Sequence, residues 1–192
     1  MFRTITSVIS VAATVSIAAS AMAAPPLPPS GVRPGPSITT PKIIPSVVCN
    51  VDPAVASITL TKGGRRGQVQ VTYEIVNRGR SAWRSGANQQ GVHLRAVNGN
   101  TGGVFADDRV LTGSAAAGAS MLRVTTRMIE NAFDDFEFGG HVELAITYDP
   151  DIFIDGNKCN DDANMANNTF RVENGDILAF MKGTARTRTF RR

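Results

Sequence analysis

Short runs in which apolar and polar residues alternate limit the folds open to this chain more than any other feature. In the clearest run, residues 68–76, an apolar side chain recurs at every second position: Val69, Val71, Tyr73 and Ile75. Successive side chains of a strand point to opposite faces, so this period predicts a β-strand with one buried and one solvated face. Comparable runs predict about seven strands: 54–62, 68–76, 91–97, 104–111, 120–129, 141–148 and 168–173.

The connections between these runs predict how the strands pair. They are short and rich in Gly, Asn and Asp, whereas parallel strands need long crossover segments. We therefore expect an all-β fold in which two antiparallel sheets pack their apolar faces together. Segment 63–67 is expected to be a hairpin turn with solvated arginines, and 131–138 to form one helical turn at most. The apolar patch 177–181 is expected to be either an eighth edge strand or a piece packed on the sandwich.

Residues 1–23 have the pattern of a secretory signal peptide. Arg3 precedes the apolar run 8–19, and Ala21-Met22-Ala23 supplies a small-residue cleavage site. The apolar run is shorter than the ~18 residues that a spanning helix needs, and no later segment approaches that length, so we expect no transmembrane span. The mature chain is then expected to begin near Ala24 and to work in an extracytoplasmic space, periplasmic or secreted.

Composition divides the rest of the chain into three parts. Residues 24–46 hold eight prolines and are expected to form an extended linker, because each proline removes an amide donor and fixes φ. The sandwich is expected over 47–181, and a basic flexible tail over 182–192. Between residues 49 and 181 there are 12 basic and 16 acidic side chains, a net charge of −4. This acidic balance argues against a nucleic-acid partner.

The two cysteines, Cys49 and Cys159, are separated by most of the expected domain. In an exported protein an even pair is most simply one disulfide. The alternative is two free thiols with redox or metal roles, although the spacing is not that of a C-x-x-C motif. A disulfide would hold the loop before the last predicted strand near the start of the first.

Four phrases, taken in order, resemble the CARDB family of bacterial cell-adhesion-related domains, which are Ig-like or fibronectin-III-like sandwiches. The phrases are 69–79, 116–120, 141–150 and the Asn-rich turn 160–169, and the resemblance covers about residues 50–174. It implies an Ig-like sandwich that serves as an extracellular module for adhesion, spacing or binding, without catalysis. Three features depart from the family: no tandem copy occurs, the cysteine pair is unusual, and segment 99–111 is longer than a simple turn.

A loop rich in Asp and Asn lies between the sixth and seventh predicted strands. Hard cations such as Ca²⁺ prefer several carboxylate and carbonyl oxygens, so this loop is a candidate calcium site. Its candidate ligands are Asp149, Asp151, Asp155, Asn157, Asp161 and Asp162. The alternative is a loop whose side chains bond their own backbone. No other cofactor is expected.

Trp83 lies between Arg80 and Arg84 and is a candidate anchor for a partner, because aromatic and Arg side chains dominate interface hot spots. The alternative is that Trp83 closes the end of the core. His93 and His141 have no neighbour in sequence that would make a catalytic triad or zinc site evident. No motif of a known catalytic type occurs, so the chain is not expected to be an enzyme.

The sequence therefore predicts an exported, non-catalytic binding, adhesion or spacer module of the bacterial cell envelope. Its expected partner is a protein or a cell-envelope polymer. Two alternatives stay open: a Ca²⁺-dependent recognition module, and a small enzyme acting on envelope polymers. The oligomeric state is also open, since an edge strand can pair with another chain by β-addition.

Overall fold

The computed structural model describes residues 48–133 and 140–192. The predicted signal peptide and proline-rich linker lie outside these residues. No helix in the described ranges is long and apolar enough to cross a membrane. Ten strands form in the described ranges: β1 (Pro53–Lys62), β2 (Val69–Asn77), β3 (Trp83–Ser85), β4 (Gln90–Val97), β5 (Val104–Val110), β6 (Gly113–Ala115), β7 (Ser120–Thr125), β8 (His141–Tyr148), β9 (Thr169–Val172) and β10 (Thr187–Arg191). One α-helix, α1 (Asn174–Lys182), precedes the last strand, and two 3₁₀ turns span Ile152–Ile154 and Met165–Asn167.

Two four-stranded antiparallel sheets make up most of the domain. The first has the order β10-β1-β2-β7 and the second the order β5-β4-β8-β9, while β3 and β6 form a small two-stranded sheet. Side chains from both large sheets join one hydrophobic core. The predicted all-β architecture of packed antiparallel sheets is therefore confirmed, and each of the seven predicted strands is present to within a few residues at either end.

The alternation seen in the sequence is the alternation seen in the core. In β2 every second side chain is completely buried: Val69, Val71, Tyr73 and Ile75. Strands β4 and β8 follow the same rule, with Val92, Leu94, Val142 and Leu144 also completely buried. The glycine-rich segment before β2 is the predicted hairpin turn, because β1 and β2 pair antiparallel on either side of it. Its Arg65 and Arg66 are exposed.

The apolar patch near the C-terminus forms a helix rather than an edge strand. In α1 the residues Ile177 and Phe180, three positions apart, are buried and belong to the same core as the sheets. Residues at this spacing lie on one face of a helix. Of the two predicted alternatives, the packed segment is therefore correct, and its packing face has helical spacing.

The expectation of a flexible basic tail over 182–192 is wrong, because β10 extends the first sheet at its β1 edge. Five residue pairs join the two strands, and the hydroxyls of Thr59 and Thr189 lie 2.9 Å apart. The tail has one large apolar side chain, Phe190, which packs against the core. An edge strand needs little more apolar surface than this, and its β-branched threonines suit the pleated sheet. The sandwich thus continues to Arg191, beyond the predicted boundary at 181.

We predict that the loss of stability caused by a proline in β10 depends on its position in the strand. Arg186 O accepts from Lys62 N and Arg192 N donates to Ala56 O, so even-numbered residues of β10 direct their backbone at β1. Arg188→Pro should lower the free energy of unfolding by ~1–3 kcal/mol relative to Arg188→Thr, because a ladder hydrogen bond is lost. Thr189→Pro should cost much less, since the Thr189 N–H points away from β1. Urea denaturation measures the free energy of unfolding of each variant, and equal losses for the two prolines would contradict the pairing.

Candidate functional site

A chain of three hydrogen-bonded side chains crosses the outer face of the second sheet. His93 lies on the outward face of β4, the strand between β5 and β8. Its Nδ1 lies 2.8 Å from Asp108 Oδ1 on β5, and its Nε2 lies 2.8 Å from Thr147 Oγ1 on β8. The register of β4 places these groups side by side, because His93 is paired with Asp108 and Thr147 is paired with the neighbouring Gly91.

Asp108 is held from two sides. Arg95, the next outward residue of β4, donates from Nη1 to Asp108 Oδ1 over 2.5 Å. Hydrogen bonds from Arg95 and then from His93 hold the pKa of the Asp108 carboxyl below its usual value. The carboxylate is therefore kept charged, and it fixes the orientation of the imidazole that faces Thr147.

Gly91 opens a groove beside this chain of side chains. A Cβ atom at residue 91 would lie 3.0 Å from His93 Nε2 and 3.0 Å from Thr147 Oγ1, closer than ordinary van der Waals contact. Only glycine leaves both groups open to the solvent side. The groove has a volume of about 370 Å³ and lies where β4 begins and β5 and β8 end. It is lined by Asn88, Gln89, Gln90, Gly91, His93, Asp108, Arg109, Val110, Thr147, Tyr148 and Asp149.

Hydrogen bonds hold the wall formed by Gln89 and Gln90, and those of Gln90 are buried. Gln90 Oε1 accepts from Trp83 Nε1 over 3.2 Å, and Gln90 Nε2 donates to the carbonyl of Asn160 over 2.9 Å. Gln89 Nε2 donates to Asp155 Oδ2 over 2.6 Å. These contacts attach the start of β4 to the Asp- and Asn-rich loop, so the groove has a rigid wall.

A second cavity continues from the groove along this loop. It has a volume of about 200 Å³ and shares Gln89 and Asp149 with the first. Its other lining residues are Asp151, Ile152 and Asp155. Together the two cavities form an elongated depression that runs from the face of the second sheet towards the loop.

The predicted disulfide between Cys49 and Cys159 is present. The two Cα atoms are 5.0 Å apart and the bond closes a separation of 110 residues. Beside it, Cys159 O accepts from Arg84 N, and Val51 forms a parallel bridge with Asp162. The loop is thereby tied to the segment before β1, as the disulfide prediction implied, and also to β3.

The six predicted calcium ligands do not form a metal centre. Four of the six side chains bond the backbone of the loop itself: Asp149 Oδ1 accepts from Asp151 N, Asp155 Oδ1 from Asn157 N, Asn157 Oδ1 from Cys159 N and Asp162 Oδ1 from Asn164 N. Asp161 pairs with Lys158 over 3.0 Å. Across the described ranges no group of three or more His, Cys, Asp or Glu side chains is placed to hold a metal ion. The alternative, a loop that satisfies its own backbone, is the arrangement found.

Asp162 shows how the loop carries a nearly buried carboxylate. Its Oδ2 accepts from Tyr148 Oη and from Asn168 Nδ2, each over 2.7 Å. Burial, followed by this hydrogen bond to Asp162, raises the pKa of the Tyr148 hydroxyl. Tyr148 is therefore a hydrogen-bond donor that pins the end of β8 to the loop, not a titrating group of the groove.

The prediction that Trp83 is an exposed partner anchor is wrong. Trp83 is 1% exposed and lies in β3, with its indole N–H bonded to Gln90. It belongs to the core, which was the alternative interpretation, while Arg80 and Arg84 on either side are exposed. A three-residue strand is too short to show a period in the sequence, so the inward direction of Trp83 could not be derived from its neighbours.

Sequence reasoning did not find the site at His93. Its partners Asp108 and Thr147 are 15 and 54 residues away in the chain. Only the register of three strands brings them together. The signal that was present is a set of polar residues and one glycine on the solvated side of well-formed strands: Gly91, His93, Asp108 and Thr147.

An imidazole between a carboxylate and a hydroxyl can move a proton from the hydroxyl, as in nucleophilic catalysis. Acyl transfer also needs donors aimed at the developing oxyanion. Asp149 N donates to Gln89 O, so the backbone of Asp149 is directed at β4. The direction of the backbone N–H repeats at every second residue of a strand, so the N–H of Thr147 also faces β4. This N–H therefore belongs to the ladder. The geometry fits the positioning of polar groups for binding better than it fits covalent chemistry.

Comparison with protein-family models, curated proteins and solved structures gives no match. The resemblance to CARDB domains accordingly rests on the four phrases of the sequence.

We predict that Asp108→Asn reduces the acid sensitivity of the fold. A carboxyl whose pKa is lowered in the folded state contributes stability above its ordinary pKa of 3.8, and this contribution is lost as the pH falls through the folded value. Urea unfolding from pH 7 down to pH 3 should therefore show a shallower loss of stability in the variant than in the wild type. Parallel curves would show that Arg95 and His93 do not stabilise the charged form.

Proposed function

We propose that this chain is an exported, non-catalytic binding or spacer module of the bacterial cell envelope, and that the groove at Gly91 is its ligand site. Three features support the proposal. The N-terminal sequence has the pattern of a secretory signal, the domain carries a disulfide of the kind found in oxidising compartments, and four phrases of the sequence resemble CARDB adhesion domains. The first two support an extracytoplasmic location.

The observation that carries the proposal is the groove itself. Its base is a glycine, Gly91, between ordered polar groups on three strands, and its wall is fixed by Gln89 and Gln90. Polar groups that are already held in place lose little freedom when a ligand binds, which favours affinity. Binding sites on the rigid elements of a fold are also more precise than sites on mobile loops.

The lining of the groove favours a polar ligand. The Thr147 hydroxyl and the carboxylates of Asp108 and Asp149 line the groove and can hydrogen-bond a ligand. Both ring nitrogens of His93 are already bonded, to Asp108 and Thr147. Val110, on the other side of the groove, is 52% exposed and supplies an apolar contact. A chain with many hydroxyl or amide groups, such as an envelope polysaccharide, matches this mixture. The adjoining cavity at Asp149 and Asp151 gives such a chain a second subsite.

We predict that filling the groove weakens binding without unfolding the domain. The probe is a panel of oligosaccharides released from bacterial envelope polymers, added to ¹⁵N-labelled protein. Binding should move the amide signals of Gly91, His93 and Thr147, and Gly91→Val should weaken it at least tenfold, since the new side chain enters the space beside His93. Gly64→Val is the matched control, because nothing lies within 4 Å of a Cβ at that position.

Two results would contradict the proposal. One is binding by Gly91→Val equal to that of Gly64→Val. The other is a set of shifted signals confined to the first sheet, which would place the ligand on a different face. Circular dichroism and melting of both variants establish that the comparison is made between folded proteins.

A further inference from the structure

Among the described residues, strand β5 is an edge of the second sheet with no further strand beside it. It pairs with β4 through seven consecutive residue pairs without a register shift, from Gly91↔Val110 to Val97↔Val104. Asn98 N donates to Gly103 O, and Leu111 N donates to Gln90 O, so the odd-numbered residues of this segment direct their backbone at β4. The direction of N–H and C=O groups alternates along a strand. The even-numbered residues therefore direct theirs at the open edge.

Four residues present their backbone groups at this edge: Val104, Ala106, Asp108 and Val110. Each offers one N–H and one C=O, which makes eight groups. Within 48–133 and 140–192, no hydrogen bond uses any of these groups. A row of unpaired groups of this length is a template for a further strand.

The other three edges of the two large sheets, β9, β7 and β10, are less suited to pairing with a further strand. In β9 the C=O of Thr169 accepts from Arg192, and the strand is four residues long. In β7 the register with β2 shifts at Ile75/Val76, and such a bulge interrupts regular addition. The edge strand β10 carries Arg188 and Arg191 and is followed by Arg192, so a second copy of it would meet like charge. Strand β5 has neither lysine, proline nor bulge.

We infer that two copies of this chain associate through their β5 strands, antiparallel, with Val104 of one copy opposite Val110 of the other. In an antiparallel pair, residues with outward backbone groups must face each other. This register is the one in which all four such residues of each copy have a partner, so all eight groups of each copy are paired. The two four-stranded sheets then form one continuous sheet of eight strands.

The side chains of β5 are complementary to themselves in this register. On the outer face Val104 meets Val110 of the second copy, and these side chains are 59% and 52% exposed in the single chain. Ala106 meets Asp108, whose carboxylate Arg95 and His93 already hold. Pairing therefore brings the two exposed valines of each copy into contact with those of the other and brings no large side chains into conflict.

The opposite face of β5 is also compatible with pairing. Asp107 meets Asp107 of the second copy, but each carboxylate pairs with Arg109 of its own strand, with Arg109 Nη2 and Asp107 Oδ1 2.7 Å apart. The two carboxylates then face each other at the two-fold axis, and one guanidinium group flanks each of them and offsets their repulsion. Phe105 meets Arg109 of the second copy, an aromatic–guanidinium pair of a favourable kind.

The association places two grooves on one face. Gly91, His93 and Thr147 lie on the outer side of the second sheet, and the two-fold axis repeats them across the β5 seam. A polymer that reaches both grooves would bind with the advantage of bivalency. The association itself does not depend on the groove being a ligand site.

The experiment is sedimentation velocity of the full chain as recovered after export, over a wide range of concentrations, for wild type and three variants. The wild type should be dimeric at the upper concentrations. Ala106→Pro removes an outward N–H and leaves the bonds to β4 intact, so it should weaken the dimer at least tenfold. Ala106→Thr keeps the N–H and should dimerise as the wild type does.

Val104→Lys is the second disrupting variant and does not alter the backbone. A charge at the edge opposes addition of a strand, so it should also give monomers. Hydrogen exchange supplies the independent readout: the amides of Val104, Ala106, Asp108 and Val110 should be protected only at concentrations where the dimer forms. A wild type that stays monomeric throughout, or a dimer that survives both disrupting substitutions, would overturn the inference. Either result leaves the oligosaccharide test of the groove unaffected.

Discussion

The register of β4 between β5 and β8 is the constraint on which the second sheet and the candidate site both depend. On the inner side, β4 contributes Val92 and Leu94 to the core. On the outer side it carries Gly91, His93 and Arg95. A slip of one residue would exchange the two sets, burying a histidine and an arginine and exposing the apolar residues. The energy of the core therefore fixes the position of every polar group in the groove.

The disulfide and the Asp- and Asn-rich loop provide the second constraint. In the chain-entropy model, closing a separation of 110 residues contributes up to about 4–5 kcal/mol. The loop also holds the start of β4, because the backbone carbonyl of Asn160 accepts from Gln90 and the carboxylate of Asp155 accepts from Gln89. The density of Asp and Asn that made this loop a calcium candidate is explained by loop architecture. Asp155 illustrates this: its pKa is lowered first by the hydrogen bond from Asn160 and then by the backbone of Asn157.

Much of the fold could be predicted from the sequence because long strands with one buried face have a clear period. Strand β8 was predicted with its observed limits, and β2 with its four buried apolar residues, although the buried Asn77 at its end was expected in a turn. The period cannot be detected in a strand of three residues, such as β3 and β6, or in a strand with only one large apolar residue, such as β10. It also could not reveal that the patch at Ile177 and Phe180 is helical, since a short apolar run suits both structures. The site was missed for a different reason: His93, Asp108 and Thr147 meet only through cross-strand register, which no local pattern specifies.

Nuclear Overhauser effects from the His93 ring test directly whether β4 directs His93 outward between Asp108 and Thr147. In that arrangement the ring protons give cross-peaks to the Thr147 methyl group and to the β-protons of Asp108. Cross-peaks from the His93 ring to core residues such as Tyr73 and Leu144 would instead show β4 in the other register. That result would contradict both the groove and the arrangement of the sheet that forms it.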